Sequence, residues 1–153
     1  MNTSTKESFF PPLNTVRRTF NLPTIEPGRE IPRTIHQTYM SKNLPPELHA
    51  NAENIKRLNP GWSHIVHDDA DIKAFIAQVY GSEILGYYDR IDQRYGAARA
   101  DLFRYLLMYK YGGVYMDVKR PCTQPLGDVL KADDRFVLAQ WRNKPGEKHA
   151  GWG

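Results

Sequence analysis

Apolar residues recur along this chain in two alternating rhythms. Ile31-Pro-Arg-Thr-Ile-His-Gln-Thr-Tyr39 alternates as a strand does, with its proline near the start, where a missing N–H is tolerable. Pro45-Pro46-Glu47 then opens a helix that puts Leu48, Ala52, Ile55 and Leu58 on one face, and Asn59-Pro60-Gly61 stops it. Trp62–His67 predicts a second strand, after which Asp68 or Asp69 can cap a helix. In that helix Ile72, Phe75, Ile76, Val79 and Tyr80 keep helical spacing up to Gly81. A short segment over Ile84–Ile91 leads into a long helix from about Gln93 to Tyr111, then a strand over Val114–Asp117. Leu126–Leu130 reads as helical and Arg135–Trp141 as a last strand.

Strands alternating with helices predict an α/β domain with a mostly parallel sheet, in which ligands gather at the carboxyl ends of the strands. Residues 1–30, rich in Pro, Thr, Ser and Asn and without a sustained period, read as an irregular arm, so the domain proper is expected over 31–153. The chain closes at Lys148-His-Ala-Gly-Trp-Gly153 without a terminal element, and the expectation is a domain incomplete at its C-terminus.

Composition narrows the function classes. The 153 residues are 41% hydrophobic and 25% charged, as in ordinary globular domains. No apolar run approaches the ~20 residues that cross a bilayer, and Met1–Phe10 lacks the basic-then-apolar order of a signal peptide. The expected setting is cytoplasmic, with at most peripheral contact at the inner face of a membrane. A single cysteine, Cys122, excludes an internal disulfide and reads as a small, partly buried side chain. The net charge of +4 suits an anionic partner, but the basic residues are scattered and form no stripe interleaved with aromatics, which argues against nucleic acid.

The chemistry concentrates between Ala97 and Lys119, AARADLFRYLLMYKYGGVYMDVK. The helix is apolar nearly all round, with Ala98, Leu102, Tyr105, Leu106 and Tyr109 on one side and Phe103 and Leu107 on another, and is expected to pack within the domain. Asp101 and Arg104 interrupt it at i and i+3, close enough to pair. Burying such charges is costly unless they are paired or used. Gly112-Gly113 permits a tight turn that returns the following strand toward the helix and brings Asp117 near both. Two carboxylates and a guanidinium then line one cleft, a set able to hold sugar hydroxyls and a diphosphate.

Ala100-Asp-Leu-Phe-Arg104 followed by Tyr111-Gly-Gly-Val-Tyr-Met-Asp117, with Ile31–Tyr39 as a first strand, resembles glycosyltransferase family 32 and the related sugar-binding region containing an Asp-x-Asp motif. The resemblance implies a Rossmann-like nucleotide-diphospho-sugar transferase fold of the GT-A type. It implies transfer of a hexosyl group from a nucleotide-diphosphate sugar to a hydroxyl with retention, in surface polysaccharide or glycolipid synthesis. The acceptor would be a glycan, a glycolipid or a protein. By the same resemblance Tyr39 stacks on the nucleobase and Thr38 supplies contacts beside it. Asp101 and Arg104 hold the donor's sugar and diphosphate side, and Asp117 is the motif's first aspartate, reaching toward metal, ribose or sugar.

At the motif's second aspartate this chain carries Lys119. Asp117 alone is a poor ligand set for Mn2+ or Mg2+, since hard cations take several oxygens. Two readings follow. Lys119 neutralises the diphosphate itself and joins Asp101, Arg104 and Asp117 as a catalytic residue, or the chain is a module that binds a nucleotide-sugar without turning it over. A toxin or effector that glycosylates a protein would share the same site. Elsewhere, His64 and His67 with Asp68, Asp69 and Asp71 could suggest a metal cluster, but strand positions three apart lie on opposite faces, and the preferred reading is a solvated loop and helix cap. His36 reads as a hydrogen-bonded core histidine, and Trp141, His149 and Trp152 fall where an acceptor side could form.

Overall fold

The computed structural model describes residues 22–26 and 28–138. The order is β1 (Thr34–Thr38), α1 (Pro46–Leu58), β2 (Ser63–His67), α2 (Asp69–Arg90), α3 (Gly96–Tyr111), β3 (Val114–Tyr115) and α4 (Leu126–Val129). The strands form one parallel sheet in the order β2-β1-β3. β1 is central, which accounts for the burial of Ile35, His36 and Gln37 in succession: a parallel strand covered on both faces has no solvent side.

Alternation along β1 sends its side chains into two layers. Ile35 packs with Ile55 of α1 and with Cys122, flanked by Leu58, Trp62, Met116 and Leu126. His36 points the other way, where its ring stacks on His67, and His67 meets Phe103 edge-on. There Phe103, Leu106 and Leu107 of α3 close over Ile72, Ile76 and Tyr88 of α2. Asp68 caps α2, taking the Asp71 N–H while the Asp71 carboxylate takes its own, a reciprocal box that ties two otherwise orphaned donors.

Several expectations are corrected here. The segment Ile84–Ile91 is helical: the chain breaks at Gly81 (φ +80°, ψ 178°), where the preceding helix was expected to stop, and a second helical stretch of α2 runs on from there to Arg90. The long helix begins at Gly96, three residues later than expected, because Asp92 folds the preceding residues into a turn. Its carboxylate accepts the Arg94 N–H at 2.9 Å and its carbonyl the Tyr95 N–H at 2.9 Å. Nor is α3 enclosed all round: Tyr105, Tyr109 and Tyr111 are exposed, and its buried residues are Arg99, Phe103, Leu106 and Leu107. β3 stops at Tyr115, since after the Met116 N–H bonds to the His36 carbonyl the chain turns about Asp117. The last strand is not formed over Arg135–Leu138, which is irregular, and the remainder of Arg135–Trp141 lies outside the described residues.

Candidate active site

Thr38, Tyr39, Asp101, Arg104, Asp117 and Lys119 all line one cleft of about 540 Å³. It opens past the carboxyl ends of β1 and β3, with the first half of α3 as its other wall. Open parallel sheets bind ligands at that end of their strands.

The return of β3 beside β1 depends on Gly113. Its φ is +89°, and a Cβ there would stand 2.6 Å from the Thr34 carbonyl oxygen and 3.2 Å from the His36 ring. No other residue satisfies both the backbone angle and the approach. Arg104 Nη2 donates to Asp101 Oδ1 at 2.7 Å, and the guanidinium lies 5.3 Å from the centre of the Tyr115 ring. Tyr115 in turn shares a hydrogen bond of 2.7 Å with Thr38 Oγ1, and burial holds its phenol above the usual range. A line of contacts therefore runs from α3 through β3 to β1. The Asp101 and Arg104 side chains remain 56% and 37% exposed, so the pair adds little to stability, and both groups keep hydrogen-bonding capacity for a ligand.

Asp117 accepts the Lys119 N–H on Oδ1 at 2.9 Å, and its carbonyl accepts the Arg120 N–H at 2.9 Å. This side-chain turn sets Lys119 beside Asp117 at the cleft. With one Asp117 oxygen already accepting and Asp101 paired to Arg104, the described residues do not by themselves fit a hard divalent cation, which takes six or more oxygens. Among the described residues no group of three or more His, Cys, Asp or Glu is placed to hold a metal ion.

The cleft wall also contains residues that sequence reasoning passed over. Arg99 is buried, with Nε donating to the Ile91 carbonyl at 2.9 Å, Nη1 to Asp69 Oδ1 at 3.2 Å, and its guanidinium 4.8 Å from the centre of the Tyr88 ring. Tyr88 donates to the same Asp69 oxygen at 2.7 Å; burial, then the carboxylate, pushes its phenol far up. The available signal was a second basic residue in the apolar stretch, two positions before Asp101.

The other candidates take structural places. His36 Nδ1 and His67 Nε2 are 3.0 Å apart, and burial lowers both, His36 to about 4. His64 pairs instead with Gln37 at 2.7 Å, so the two histidines of β2 serve opposite faces. Cys122 is buried and donates to the Gln124 carbonyl at 3.1 Å. Trp141, His149 and Trp152 lie outside the described residues. Another cavity, about 480 Å³ beside Leu58, Trp62 and Leu130, holds none of the predicted site residues.

Comparison with known proteins places the chain in a family. The family described as "Glycosyltransferase sugar-binding region containing DXD motif" matches residues 45–137, which take in Asp101, Arg104, Asp117 and Lys119. Inositol phosphoceramide mannosyltransferase 1 of Schizosaccharomyces pombe is 32% identical over 120 residues, 75% of this chain and 36% of that protein. Inositol phosphoceramide mannosyltransferase 3 of the same organism is 33% identical over 100 residues, 65% of this chain and 27% of that protein. The initiation-specific alpha-1,6-mannosyltransferase of Candida albicans is 25% identical over 125 residues, 78% of this chain and 31% of that protein. The chain thus spans roughly a third of the length of these relatives. No solved structure matches it significantly. No helix among the described residues is long and apolar enough to cross a membrane. With more than half of its length matched, and its motif residues gathered in one cleft, the chain belongs to the glycosyltransferases whose sugar-binding region contains the DXD motif.

Proposed function

We propose that this protein is a retaining glycosyltransferase of the GT-A type, which moves a hexosyl group from a nucleotide-diphosphate sugar to a hydroxyl of a glycolipid or glycan. The observation that carries the reading is the single cleft that gathers Thr38, Tyr39, Asp101, Arg104, Asp117 and Lys119 at the carboxyl end of a parallel sheet. Relatives named mannosyltransferases make mannose the first sugar to test, and those named for inositol phosphoceramide make a phosphoinositol lipid the first acceptor.

In this reading the Tyr39 ring takes the nucleobase, with Thr38 beside it, held by Tyr115. Asp101 and the free oxygen of Asp117 accept hydrogen bonds from sugar or ribose hydroxyls. As the anomeric C–O bond breaks, charge grows on the diphosphate, and Arg104 and Lys119 stabilise that charge. The acceptor hydroxyl adds to the anomeric carbon on the face the diphosphate leaves, and its proton passes to the departing phosphate oxygen. Each of the three carboxylates lining the cleft accepts hydrogen bonds on one oxygen, Asp69 from Tyr88 and Arg99, Asp101 from Arg104 and Asp117 from the Lys119 N–H, which lowers their nucleophilicity and favours this internal return. Lys119 supplies positive charge at the position where the motif's second aspartate would recruit a metal.

The test is turnover of a panel of nucleotide-diphosphate hexoses by the full-length protein, with manganese or with chelator. Release of nucleoside diphosphate that ignores chelator is the expected result. Nucleotide binding without turnover would overturn the enzymatic reading in favour of a binding module, and absence of any nucleotide binding would overturn both.

A further inference from the structure

The ten residues from Met116 to Pro125 carry Asp117 and Lys119 but form neither helix nor strand. Their backbone groups must find partners elsewhere, because a peptide carbonyl turned toward protein and left unpaired is costly. Much of that partnering comes from asparagines of α1 and its C-cap. Asn51 Nδ2 lies 3.0 Å from the Val118 carbonyl and 2.9 Å from the Arg120 carbonyl. Asn54 Nδ2 donates to the Cys122 carbonyl at 2.9 Å. Asn59, buried at the C-cap, accepts the Leu126 N–H on Oδ1 at 2.7 Å while its amide donates to the Ile55 carbonyl at 2.8 Å. These positions share one side of α1 with Ile55, which packs on Cys122. The loop is therefore strapped along the helix, polar contacts alternating with one apolar anchor.

The Asn51 contacts have a particular consequence. Val118 and Arg120 are the immediate neighbours of Lys119, so one carboxamide holds the carbonyls of the residues on either side of it. The Asp117 carboxylate fixes the Lys119 N–H from the other direction. An amide nitrogen carries two hydrogens, one for each carbonyl, and no other side chain of this length offers that pair.

We infer that Asn51 is a positioning residue of the donor site, acting through Lys119 by holding the carbonyls that flank it. The inference rests on the proposed donor-binding role of the cleft and names a residue outside its lining that sets affinity for the diphosphate. Without the two bonds the Val118–Arg120 backbone gains freedom, and the Lys119 ammonium must be ordered when ligand binds. That ordering cost falls on binding.

The experiment is titration of the full-length protein with GDP and UDP by calorimetry, in wild type, Asn51→Ala, Lys119→Ala and the double variant. Asn51→Asp is included because it keeps the shape while offering no N–H to either carbonyl, and thermal melts confirm that each variant is folded. Asn51→Ala and Asn51→Asp should each weaken nucleoside diphosphate binding about tenfold, and the Asn51→Ala loss should shrink to about twofold or less once Lys119 is alanine. A loss of equal size in the Lys119→Ala background would show an effect that does not run through Lys119, and would overturn the inference. So would unchanged affinity in both single variants at position 51. Failure of the wild-type protein to bind either nucleotide would instead remove the donor-site reading on which the inference stands.

Discussion

Replacing Gly113 with alanine tests whether the site is built by close approach of β3 to β1. Two costs are separable. The first is conformational: an L-residue at φ +89° loses roughly 1–2 kcal/mol against its preferred regions. The second is steric: the new methyl would lie 2.6 Å from the Thr34 carbonyl oxygen, a backbone atom in the central strand, and relieving such overpacking costs a further ~1–3 kcal/mol. The sum, about 2–5 kcal/mol, is a large share of the ~5–15 kcal/mol that stabilises a typical domain. Gly61 provides the control, with φ +85° and nothing within 4 Å of its Cβ, so Gly61→Ala carries the first cost alone. Urea denaturation of both variants reads the difference directly. Gly113→Ala should be the less stable by ~1–3 kcal/mol, and should lose nucleotide binding before it loses helical signal, because β3 pairs with β1 only through Ile35–Val114 and His36–Tyr115. Equal destabilisation of the two variants would refute the close-approach argument.

Further outcomes follow from the same geometry. Lys119→Ala should lower turnover of the nucleotide-sugar by about 10²-fold with a smaller change in KM, because its charge is matched to the departing diphosphate; steady-state kinetics with chelator present decide this, and an unchanged kcat would remove Lys119 from the mechanism. His36, buried and lowered from 6.5 to about 4, is neutral in the folded protein but protonates in the unfolded chain below about pH 6.5. The unfolded state then binds more protons, so stability is full above that pH and falls as pH drops toward 4, by roughly 2 kcal/mol by pH 5. Denaturation midpoints at pH 7 and pH 5 measure it, and His36→Gln should reduce the dependence, leaving the part due to His64 and His67, which burial also lowers. Asn59→Ala should cost about 1–3 kcal/mol, as the Leu126 N–H loses its acceptor; a melt indistinguishable from wild type would show that the α1 strap is not a stabilising element.

The parts of this molecule legible in sequence were those set by local chemistry. Asp68 capping α2, Pro46 opening α1, and Gly112-Gly113 between α3 and β3 are each dictated by backbone angles or orphaned donors within a few residues. The six residues read as a site do share one cleft, because a parallel sheet leaves its strand ends on one side whatever the details of packing. What escaped were contacts across long sequence separations. Asn51 bonds residues 67 and 69 positions away, and Arg99 pairs with Asp69 thirty positions earlier. Neither leaves a periodic trace, since an asparagine that holds a distant carbonyl looks like any polar helix residue.

The misreading of α3 is the most instructive. Counting tyrosines as apolar made the helix look enclosed, and that made Asp101 and Arg104 look like charges needing a reason to be buried. Tyr105 and Tyr109 are in fact exposed, and the buried cation of α3 is Arg99. The desolvation argument therefore belongs to Arg99, which meets it with Asp69, the Ile91 carbonyl and the Tyr88 ring. Asp101 and Arg104 bear no such cost, being held in place while open to solvent at the cleft. The two pairs divide the work along one helix: Arg99 ties the start of α3 to α2, and two residues on, the next pair is free to meet a ligand. Charge at Asp101 and Arg104 is retained without burial, so its explanation lies in access and placement.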